Sequence, residues 1–483
     1  MNSAFLPAFL PELVLLAGAL GLFAVALGDC RGRIARNTAL LVALAAVLAS
    51  VLAQGCRADL FSGAYRVDAF SQLLKTVFAG GLAAVVLLGG DLPGIRDDIK
   101  SEYYLFVTLS VAGLTMLVSC VDIISLIVAL ELSSFPLYLL VPMRREREGQ
   151  RSQMESAIKY VMFGVAANGI MLFGLSYLFG LTGTTHLAGM AAVLGAASGS
   201  PLAAAGLAMA FCGLFFKLAI FPFHFWTPDV YQGASNETAA LIASLPKLGA
   251  VAVLIRFASL ATPDNPAIAL LLAILAAASM SYGNLVALVQ KDLKRMLGFS
   301  GIAHSGYALV GLVALNPAGY TAAMYYIIGY ILMILACFIA ACRVSPDGSN
   351  VSIEDLAGLH RRSPLLAATL FTGIFALAGL PPFVGFMGKL GLLTAVLARG
   401  HLWLVIVVVV NSAVAIYYYL QVIRQAVFGE PSGALSAIRL SPSTRLLCAA
   451  LIAGIVLFGA FPETIIGAIG RSLAFVLPGA PVP

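Results

Sequence analysis

The stretch "GLFFKLAIFPFHFW", residues 213–226, is apolar enough for the middle of a membrane, yet it carries Lys217, Pro222 and His224. Proline has no amide hydrogen, so Pro222 leaves the carbonyl of Leu218 without its partner in the helix. A charged side chain at the bilayer centre is costly and is retained where it faces a protein interior or a water-filled path. The stretch therefore predicts a broken membrane helix that places a titratable amine beside a free carbonyl.

The composition predicts an all-α polytopic membrane protein. The 483 residues are 61% hydrophobic and 10% charged, with a mean hydropathy of +1.00, whereas soluble domains are about 25% charged. This deficit of charge excludes a sizeable soluble domain. The formal net charge of +6 is spread over short loops between apolar runs, which is a topology signal and not a nucleic-acid surface.

The apolar runs are long enough for about fourteen membrane helices of about 20 residues each. The runs at 203–227 and 364–398 contain internal helix breakers. The predicted spans are 5–27, 38–55, 68–90, 103–120, 123–143, 156–181, 203–227, 238–260, 267–289, 296–314, 319–342, 364–398, 402–428 and 445–475.

The distribution of basic residues predicts that both termini lie on the outer side of the membrane. The chain begins without Lys or Arg before its first apolar run, so this run is expected to be a retained helix and not a secretory signal. Four basic loop residues then fall outside, at positions 57, 66, 399 and 471. Eighteen fall inside: Arg31, Arg33, Arg36, Arg96, Lys100, Arg144, Arg145, Arg147, Arg151, Lys291, Lys294, Arg295, Arg343, Arg361, Arg362, Arg424, Arg439 and Arg445.

Five charged residues stand out within the predicted spans: Glu131, Lys159, Lys217, Lys247 and Lys389. Burial disfavours the charged form of a lysine, and a nearby carboxylate favours it again. An amine that gains or loses such a partner can exchange protons near neutral pH. Glu131 is the expected partner of Lys159, Lys217 or both. A structural ion pair at Glu131 is the alternative, and Lys75 and Arg256 are expected to snorkel from span ends.

Proline breaks accompany these charges and add free carbonyl groups. Pro136 and Pro246 are expected to act as Pro222 does. The pair Pro381 and Pro382 is expected to free the carbonyls of residues 377 and 378. Unpaired backbone at membrane depth is tolerated where it is buried or lines water, so a break beside a lysine predicts a site for ion movement.

Two histidines are further candidates for passing protons, because imidazole titrates near neutral pH. Lys217 and His224 are seven residues apart, which places them on one helical face if the helix continues. His304 lies in "GFSGIAHSGYALVG". The alternative for both histidines is a packing role inside the protein.

Nothing in the sequence predicts a metal or redox centre in this chain. The seven Cys residues, at positions 30, 56, 120, 212, 337, 342 and 448, contain no CxxC spacing. Phosphate-binding and dinucleotide-binding glycine motifs are also missing from the sequence.

The two interrupted spans suggest an internal repeat. They are the seventh and twelfth spans, and an odd offset of five reverses the direction of travel through the membrane, as in inverted-repeat transporters. We therefore expect N-terminal helices in 1–102, a five-helix repeat in 103–260, its inverted copy in 267–428, and a C-terminal helix in 429–483. Spans 4–8 and 9–13 are the two repeats.

Residues 215–247, "FFKLAIFPFHFWTPDVYQGASNETAALIASLPK", resemble the antiporter-like subunits of proton-pumping NADH:quinone oxidoreductase, respiratory complex I, and especially subunit N. "LPELVLL" near the start, "KDLKRMLGFSGIAHSGY" (291–307) and "LAGLPPFVGFMGKLGLL" (377–393) carry the same resemblance. It implies an inner-membrane subunit that translocates protons while NADH, FMN, iron–sulfur clusters and quinone are held by partner subunits. It also implies neighbours such as subunits M, K and J.

The resemblance also assigns residues. It makes Glu131 the glutamate of the fifth helix and Lys159 the lysine of the sixth. Lys217, Lys247 and Lys389 become the lysines of the broken seventh, the eighth and the broken twelfth helices. His224 and His304 would complete the proton path.

One departure and three alternatives remain open. The family usually has a glutamate and prolines where this chain has "YQGASNETA", residues 231–239, so Gln232 replaces the loop glutamate and Glu237 supplies a charge nearby. The alternatives are a subunit of a multisubunit cation/proton antiporter, the same module in a hydrogenase-type or ferredoxin- or F420-driven complex, and a structural membrane subunit whose charges have no role.

Overall fold

The chain forms a bundle of long helices in a computed structural model, which describes residues 5–28, 32–145, 152–196, 200–260, 266–430 and 437–474. The N-terminal part holds four helices and one antiparallel hairpin in which Ala58 pairs with Val67. These elements are α1 (Phe5–Ala8), α2 (Leu10–Ala26), α3 (Gly32–Leu52), β1 (Ala58–Leu60), β2 (Tyr65–Val67) and α4 (Ala69–Gly89). Four residues named above lie outside the described residues: Cys30 and the predicted loop residues Arg31, Arg147 and Arg151.

Two longer sets of helices follow. The first comprises α5 (Lys100–Leu117), α6 (Ile123–Leu140), α7 (Ser152–Thr182), α8 (Leu187–Ala196), α9 (Pro201–Ala210), α10 (Cys212–Leu218), α11 (Trp226–Gly233) and α12 (Asn236–Ala258). The second comprises α13 (Pro266–Ala287), α14 (Leu293–Val313), α15 (Pro317–Val344), α16 (Leu359–Arg362), α17 (Pro364–Ala378), α18 (Val384–Leu397), α19 (Leu402–Phe428), α20 (Pro442–Ala460) and α21 (Pro462–Leu473). Three short 3₁₀ turns lie at Phe61–Gly63, Asp97–Ile99 and Glu354–Leu356.

The prediction of an all-α membrane protein is confirmed. Within the described residues, eleven helices are long and apolar enough to cross a membrane, and α2, α17 and α18 are shorter apolar helices. Each predicted span coincides with one helix or with helices in series. The number of crossings, fourteen, stays a prediction.

The two breaks predicted beside lysines are confirmed. Helix α10 ends at Leu218, Ala219 is left-handed with φ 63°, and the next helix begins only at Trp226. Helix α17 ends at Ala378, where Gly379 has φ 86° and closes the last turn by donating to the carbonyls of two earlier residues. A left-handed residue after the last turn is a common helix ending, and glycine adopts it without strain.

The breaks predicted at Pro136 and Pro246 are wrong. Each proline lies inside a continuous helix, α6 and α12 respectively. One proline removes a single backbone hydrogen bond, and the packed turns on either side hold the helix together. Proline alone therefore does not distinguish a kink from a break.

The centre of the bundle is formed by α12 and α14, which are buried along their whole apolar length. Glycines allow the helices around this centre to approach closely. A Cβ atom on Gly283 of α13 would lie 2.6 Å from the carbonyl oxygen of Phe299 on α14, a contact that only glycine permits. Large apolar side chains such as Leu41, Met162 and Val410 are instead exposed on α3, α7 and α19, as expected of helices that face lipid.

Lys75 and Arg256 do not snorkel, so that prediction is wrong. Lys75 is fully buried and forms an ion pair of 2.7 Å with the carboxylate of Glu12, which is also fully buried. Arg256 is 5% exposed and donates to Asp68 at 3.1 Å. Both basic groups point into the protein because the N-terminal helices supply carboxylates that sequence position alone does not bring near them.

Candidate functional site: a line of buried lysines

Lys217 lies in the last turn of α10, and its side chain points towards α6. Its Nζ donates to the hydroxyls of Ser133 and Ser134 at 2.5 and 2.8 Å, and to the carbonyl of Leu130 at 3.4 Å. The lysine is 5% exposed. Its amine is therefore held entirely by uncharged oxygen atoms.

Glu131 is not the direct partner of this lysine, which corrects the sequence prediction. Its carboxylate accepts a hydrogen bond of 2.5 Å from the amide of Asn168 on α7. Among the described residues, no ion pair of 4.0 Å or less joins Glu131 to Lys217. Glu131 lies on the same turn of α6 as Ser133 and Ser134, the serines that bind Lys217. Its charge can therefore act on these serines electrostatically, without direct contact.

Lys159 pairs with two carboxylates other than Glu131, so that pairing is also wrong. Its Nζ lies 2.6 Å from Glu155 and 2.7 Å from Asp229. Arg295 binds the second oxygen of Asp229 at 2.7 Å. Lys159 is 36% exposed at its side chain, which places this ionic cluster at the edge of the bundle and not in its buried centre.

Asp229 is the charged centre of that cluster, in the short helix α11. Partial burial raises the pKa of its carboxyl, but hydrogen bonds from Lys159 and Arg295 outweigh burial and hold the pKa below its ordinary value. The carboxylate is therefore charged at neutral pH. The sequence signal was its position beside the broken helix, in "FWTPDVYQGA".

Lys247 lies at the centre of the bundle, on α12. Its Nζ donates to the carbonyl of Gly301 at 2.7 Å and to the hydroxyl of Ser305 at 3.0 Å, both on α14. The hydroxyl of Ser305 in turn lies 2.5 Å from the carbonyl oxygen of Leu218. This is the carbonyl that Pro222 was predicted to free, so one hydroxyl joins the break after Lys217 to Lys247.

His224 does not share a helical face with Lys217, because α10 ends before it. Its ring packs against aromatic neighbours, with ring centroids 4.4 Å from those of Phe225 and Tyr282. Neither ring nitrogen has a hydrogen-bond partner in the described part of the protein. Its role in the proton path stays a prediction.

His304 is bonded through both ring nitrogens. Its Nδ1 lies 2.6 Å from the hydroxyl of Tyr326, and its Nε2 lies 2.9 Å from that of Tyr419. Tyr419 continues to Ser300 at 2.5 Å. His304 lies between Gly301 and Ser305, the two partners of Lys247 on α14, so this second polar network lies beside that of the central lysine.

Lys389 occupies the second break, and the carbonyls predicted to be free are its partners. Its Nζ donates to the carbonyls of Leu377 and Ala378 at 3.3 and 3.1 Å. It also lies 4.7 Å from the ring centroid of Tyr307, whose ring contacts that of His304 at 5.8 Å. A lysine on one half of the broken helix thus caps the end of the other half.

The three central lysines and their partners form one buried series across the bundle. Every amine in it is held by hydroxyl or carbonyl oxygens. Within the described residues, no group of three or more His, Cys, Asp or Glu side chains could hold a metal ion. The arrangement suits the passage of protons. Sequence reasoning missed the polar partners on neighbouring helices: Ser133, Ser134, Asn168, Asp229, Ser305, Tyr307, Tyr326 and Tyr419.

Residues 102–415 match the protein family described as "NADH:quinone oxidoreductase/Mrp antiporter, TM". The chain is 60% identical to NADH-quinone oxidoreductase subunit N 2 of Opitutus terrae, over 97% of this chain and 98% of the relative. It is 36% identical to NADH-quinone oxidoreductase subunit N of Nitrosomonas europaea, over 84% of both chains.

Solved structures agree with this match. A chain of respiratory complex I from Thermus thermophilus superposes with a TM-score of 0.81 and 31% identity, covering 95% of this chain and 99% of that one. A chain of the Mrp complex from Dietzia sp. DQ12-45-1b superposes with a TM-score of 0.84 at 22% identity, covering 98% of each. At that lower identity the likeness shows the fold alone. The chain therefore belongs to the family of antiporter-like membrane subunits found in NADH:quinone oxidoreductases and Mrp antiporters.

Proposed function

We propose that this chain is a proton-translocating membrane-arm subunit of an NADH:quinone oxidoreductase, respiratory complex I. One observation carries the proposal: Lys217, Lys247 and Lys389 are buried in series at or near two helix breaks, and the hydroxyl of Ser305 joins Lys247 to the first of these breaks. The identity to subunit N chains over nearly the whole length supports the choice of complex.

In this proposal, protons move outward and the redox chemistry occurs elsewhere in the complex. Lys217 is a proton carrier, Lys247 is the central relay and Lys389 leads to the outer side. Glu131 acts on Lys217 and responds to the charge state of a neighbouring subunit. His304 connects the central relay to Lys389, while Lys159 and His224 complete the path.

The complex supplies what this chain does not hold. NADH, FMN, iron–sulfur clusters and quinone belong to partner subunits, and neighbours in the membrane arm correspond to subunits M, K and J. The protein lies in the cell's inner membrane with both termini on the outer side, as its basic loops favour.

The proposed domain organisation follows the two breaks. Residues 103–260 and 267–428 form five-helix repeats of opposite orientation, flanked by helices in 1–102 and 429–483. In support, α5 packs along α6 as α13 packs along α14, and each broken helix packs on the long helix before it, α7 or α15. Each repeat contributes one lysine at its break.

The first experiment is a native gel of detergent-solubilised membranes, probed for this chain and stained for NADH oxidation. Co-migration with a large NADH-oxidising band is expected. Migration as a small species that exchanges sodium for protons without NADH would identify an antiporter subunit instead, and migration with a hydrogenase band would identify a different redox engine.

Substitution then tests the path itself. We expect Lys217→Ala, Lys247→Ala and Lys389→Ala each to lower proton pumping coupled to quinone reduction, while NADH oxidation by an artificial acceptor that bypasses the membrane arm stays at the wild-type level. Wild-type pumping in all three variants would identify a structural subunit.

A further inference from the structure

Two buried tyrosine hydroxyls converge on Lys247 from a side that the series of lysines does not use. The hydroxyls of Tyr231 and Tyr330 have no hydrogen-bond partner among the residues that the structure describes, although both residues are fully buried. Leaving a buried hydroxyl unpaired costs about 1–3 kcal/mol. Such groups are paired in most proteins, often through an ordered water molecule.

The point of convergence lies over Gly301. A Cβ atom placed there would be 3.1 Å from Nζ of Lys247, 3.1 Å from the hydroxyl of Tyr330 and 3.7 Å from that of Tyr231. The amine and both hydroxyls therefore approach the same open side of Gly301. A single water molecule with hydrogen bonds of about 2.8 Å bridges polar atoms that lie up to about 5.6 Å apart.

We infer that Lys247, Tyr231 and Tyr330 form a binding site for one water molecule over Gly301, and that this water is the last step by which protons reach Lys247 from the inner side. The inference rests on the proposed function and adds to it the direction of access. Glycine is required at position 301 because any side chain would occupy the water's place.

The location of Tyr231 indicates the inner side. Tyr231 belongs to the short helix α11, whose Asp229 forms the partly exposed cluster with Lys159 and Arg295. The same helix therefore presents a charged group to the inner edge and a hydroxyl to the buried lysine, two residues apart.

The facing surface of α14 leads the same way. Lys294, Gly298, Gly301 and Ser305 are spaced by four, three and four residues, so they share one face of this helix. Lys294 is at the inner end, where its Nζ donates to the carbonyl of Ala234 at 2.7 Å. Gly298 lets α11 approach closely, since a Cβ atom there would lie 3.1 Å from Cα of Pro228, and this approach brings Tyr231 to the same face as Gly301.

The proton transfer balances without a new co-reactant. A proton arriving from the inner side binds the oxygen of Tyr231 as the hydroxyl of Tyr231 gives its own proton to the water and the water gives one to the neutral amine of Lys247. The three transfers are concerted, so neither a tyrosinate nor a hydroxide is left behind. Tyr330, whose ring centroid lies 5.3 Å from Nζ of Lys247, orients the water through its hydroxyl.

Two variants test the site in the assembled complex. Tyr231→Phe removes one hydroxyl and keeps the ring, and Gly301→Ala fills the water's place. Since the atoms nearest the added methyl are the ends of flexible side chains, we expect both variants to assemble. We expect proton pumping to slow by about tenfold, as for the loss of one hydrogen bond of about 1.4 kcal/mol, with unchanged NADH oxidation by an artificial acceptor.

Matched controls separate this effect from packing. Tyr325→Phe removes a hydroxyl that donates to the carbonyl of Phe458 at 2.6 Å, away from the lysines. Gly249→Ala adds a methyl group to the same helix as Lys247, against the flexible side chain of Leu114. Both controls are expected to pump at the wild-type rate.

The outcomes distinguish the inference from the proposed function. If Lys247→Ala stops pumping but Tyr231→Phe and Gly301→Ala pump normally, the water site is wrong and the lysine path stands. If Lys247→Ala also pumps normally, the proposed function itself fails.

A density map of the assembled complex is a second, independent test of the water site. A water within about 3 Å of the amine and both hydroxyls supports the inference, and a map that resolves other waters but none there overturns it.

Discussion

Each central lysine is bound by oxygen atoms that carry no full charge. A buried lysine bound directly to a carboxylate is held in its charged form, and it would release its proton reluctantly. Hydroxyl and carbonyl oxygens accept hydrogen bonds from the charged amine without fixing its charge so strongly. The partners are Ser133 and Ser134 for Lys217, Gly301 and Ser305 for Lys247, and Leu377 and Ala378 for Lys389. This choice of partners suits an amine that must gain and lose protons.

Ser305 links Lys247 to the helix break that follows Lys217. A substitution at Ser305 should therefore interrupt the connection between these two lysines. Ser305→Ala leaves the carbonyl of Leu218 unpaired, at a cost of about 1–3 kcal/mol, and removes one acceptor from Lys247. We expect slower proton pumping and a lower unfolding temperature in the variant, measured in membrane vesicles and on the purified complex.

Two further substitutions check this prediction. Ser305→Thr keeps a hydroxyl and is expected to recover most of the pumping rate. Ser244→Ala is a matched control, because the hydroxyl of Ser244 bonds only carbonyls of its own helix. Equal pumping by Ser305→Ala and wild type would show that the hydroxyl plays no part in the path.

Asp229 gives the ionic cluster that it forms with Lys159 and Arg295 a defined dependence on pH. Its lowered pKa means that the unfolded chain binds a proton more readily than the folded one. The cluster's stabilisation is therefore fully present above the ordinary carboxyl pKa of about 4 and is lost as the pH falls through the folded value.

The variant Asp229→Asn makes this measurable by thermal unfolding of the detergent-solubilised protein. We expect it to unfold at a lower temperature than wild type at pH 7, because Lys159 and Arg295 lose their shared carboxylate. The difference should shrink in acid. A difference that is constant down to about pH 3 would contradict the role assigned to this carboxylate.

At the scale of helices, the sequence allowed the existence and the broken form of α10 and α17 to be predicted, because apolar runs and prolines are local signals. It did not allow the continuous course of α6 and α12 through Pro136 and Pro246 to be predicted. Packing on both sides decides that outcome, and packing depends on residues far away in the chain. The partners of Lys159 were missed for the same reason, since Asp229 is seventy residues away.

The second break depends on Gly379, whose φ of 86° disfavours any side chain. A Cβ atom there would also lie 3.0 Å from the side chain of Lys389. We expect Gly379→Ala to destabilise the protein by about 1 kcal/mol or more, read as a lower unfolding temperature. Gly391→Ala on α18 is the control, because a Cβ atom there meets only ordinary contact, 3.6 Å from Ala322. Equal stability of the two variants would contradict this prediction, because it would show that a side chain at position 379 does not strain the C-terminal cap of α17.

At the scale of the whole molecule, one buried ion pair joins two N-terminal helices to each other, and a second joins the N-terminal part to the centre of the bundle. Glu12 of α2 binds Lys75 of α4 at 2.7 Å and accepts a hydrogen bond of 2.6 Å from Tyr65 of the hairpin. Asp68, which caps α4, binds Arg256 of α12. Arg256 lies nine residues beyond Lys247 on that helix, so the C-terminal end of the central helix is tied to the elements that precede α5.

Replacing one member of the fully buried pair tests how much these ties stabilise the protein. Glu12→Gln keeps an oxygen for Tyr65 but leaves the charge of Lys75 without a counter-ion, which costs about 3–5 kcal/mol in buried pairs. We expect a large fall in the unfolding temperature of the purified protein.

The double variant Glu12→Gln with Lys75→Met removes both charges and should recover most of that loss. Asp59→Asn breaks a partly exposed pair with Arg66 and should change little. If the double variant is less stable than Glu12→Gln alone, the pair acts through more than charge compensation, and the packing of Lys75 against the ring of Tyr65 becomes the dominant contact.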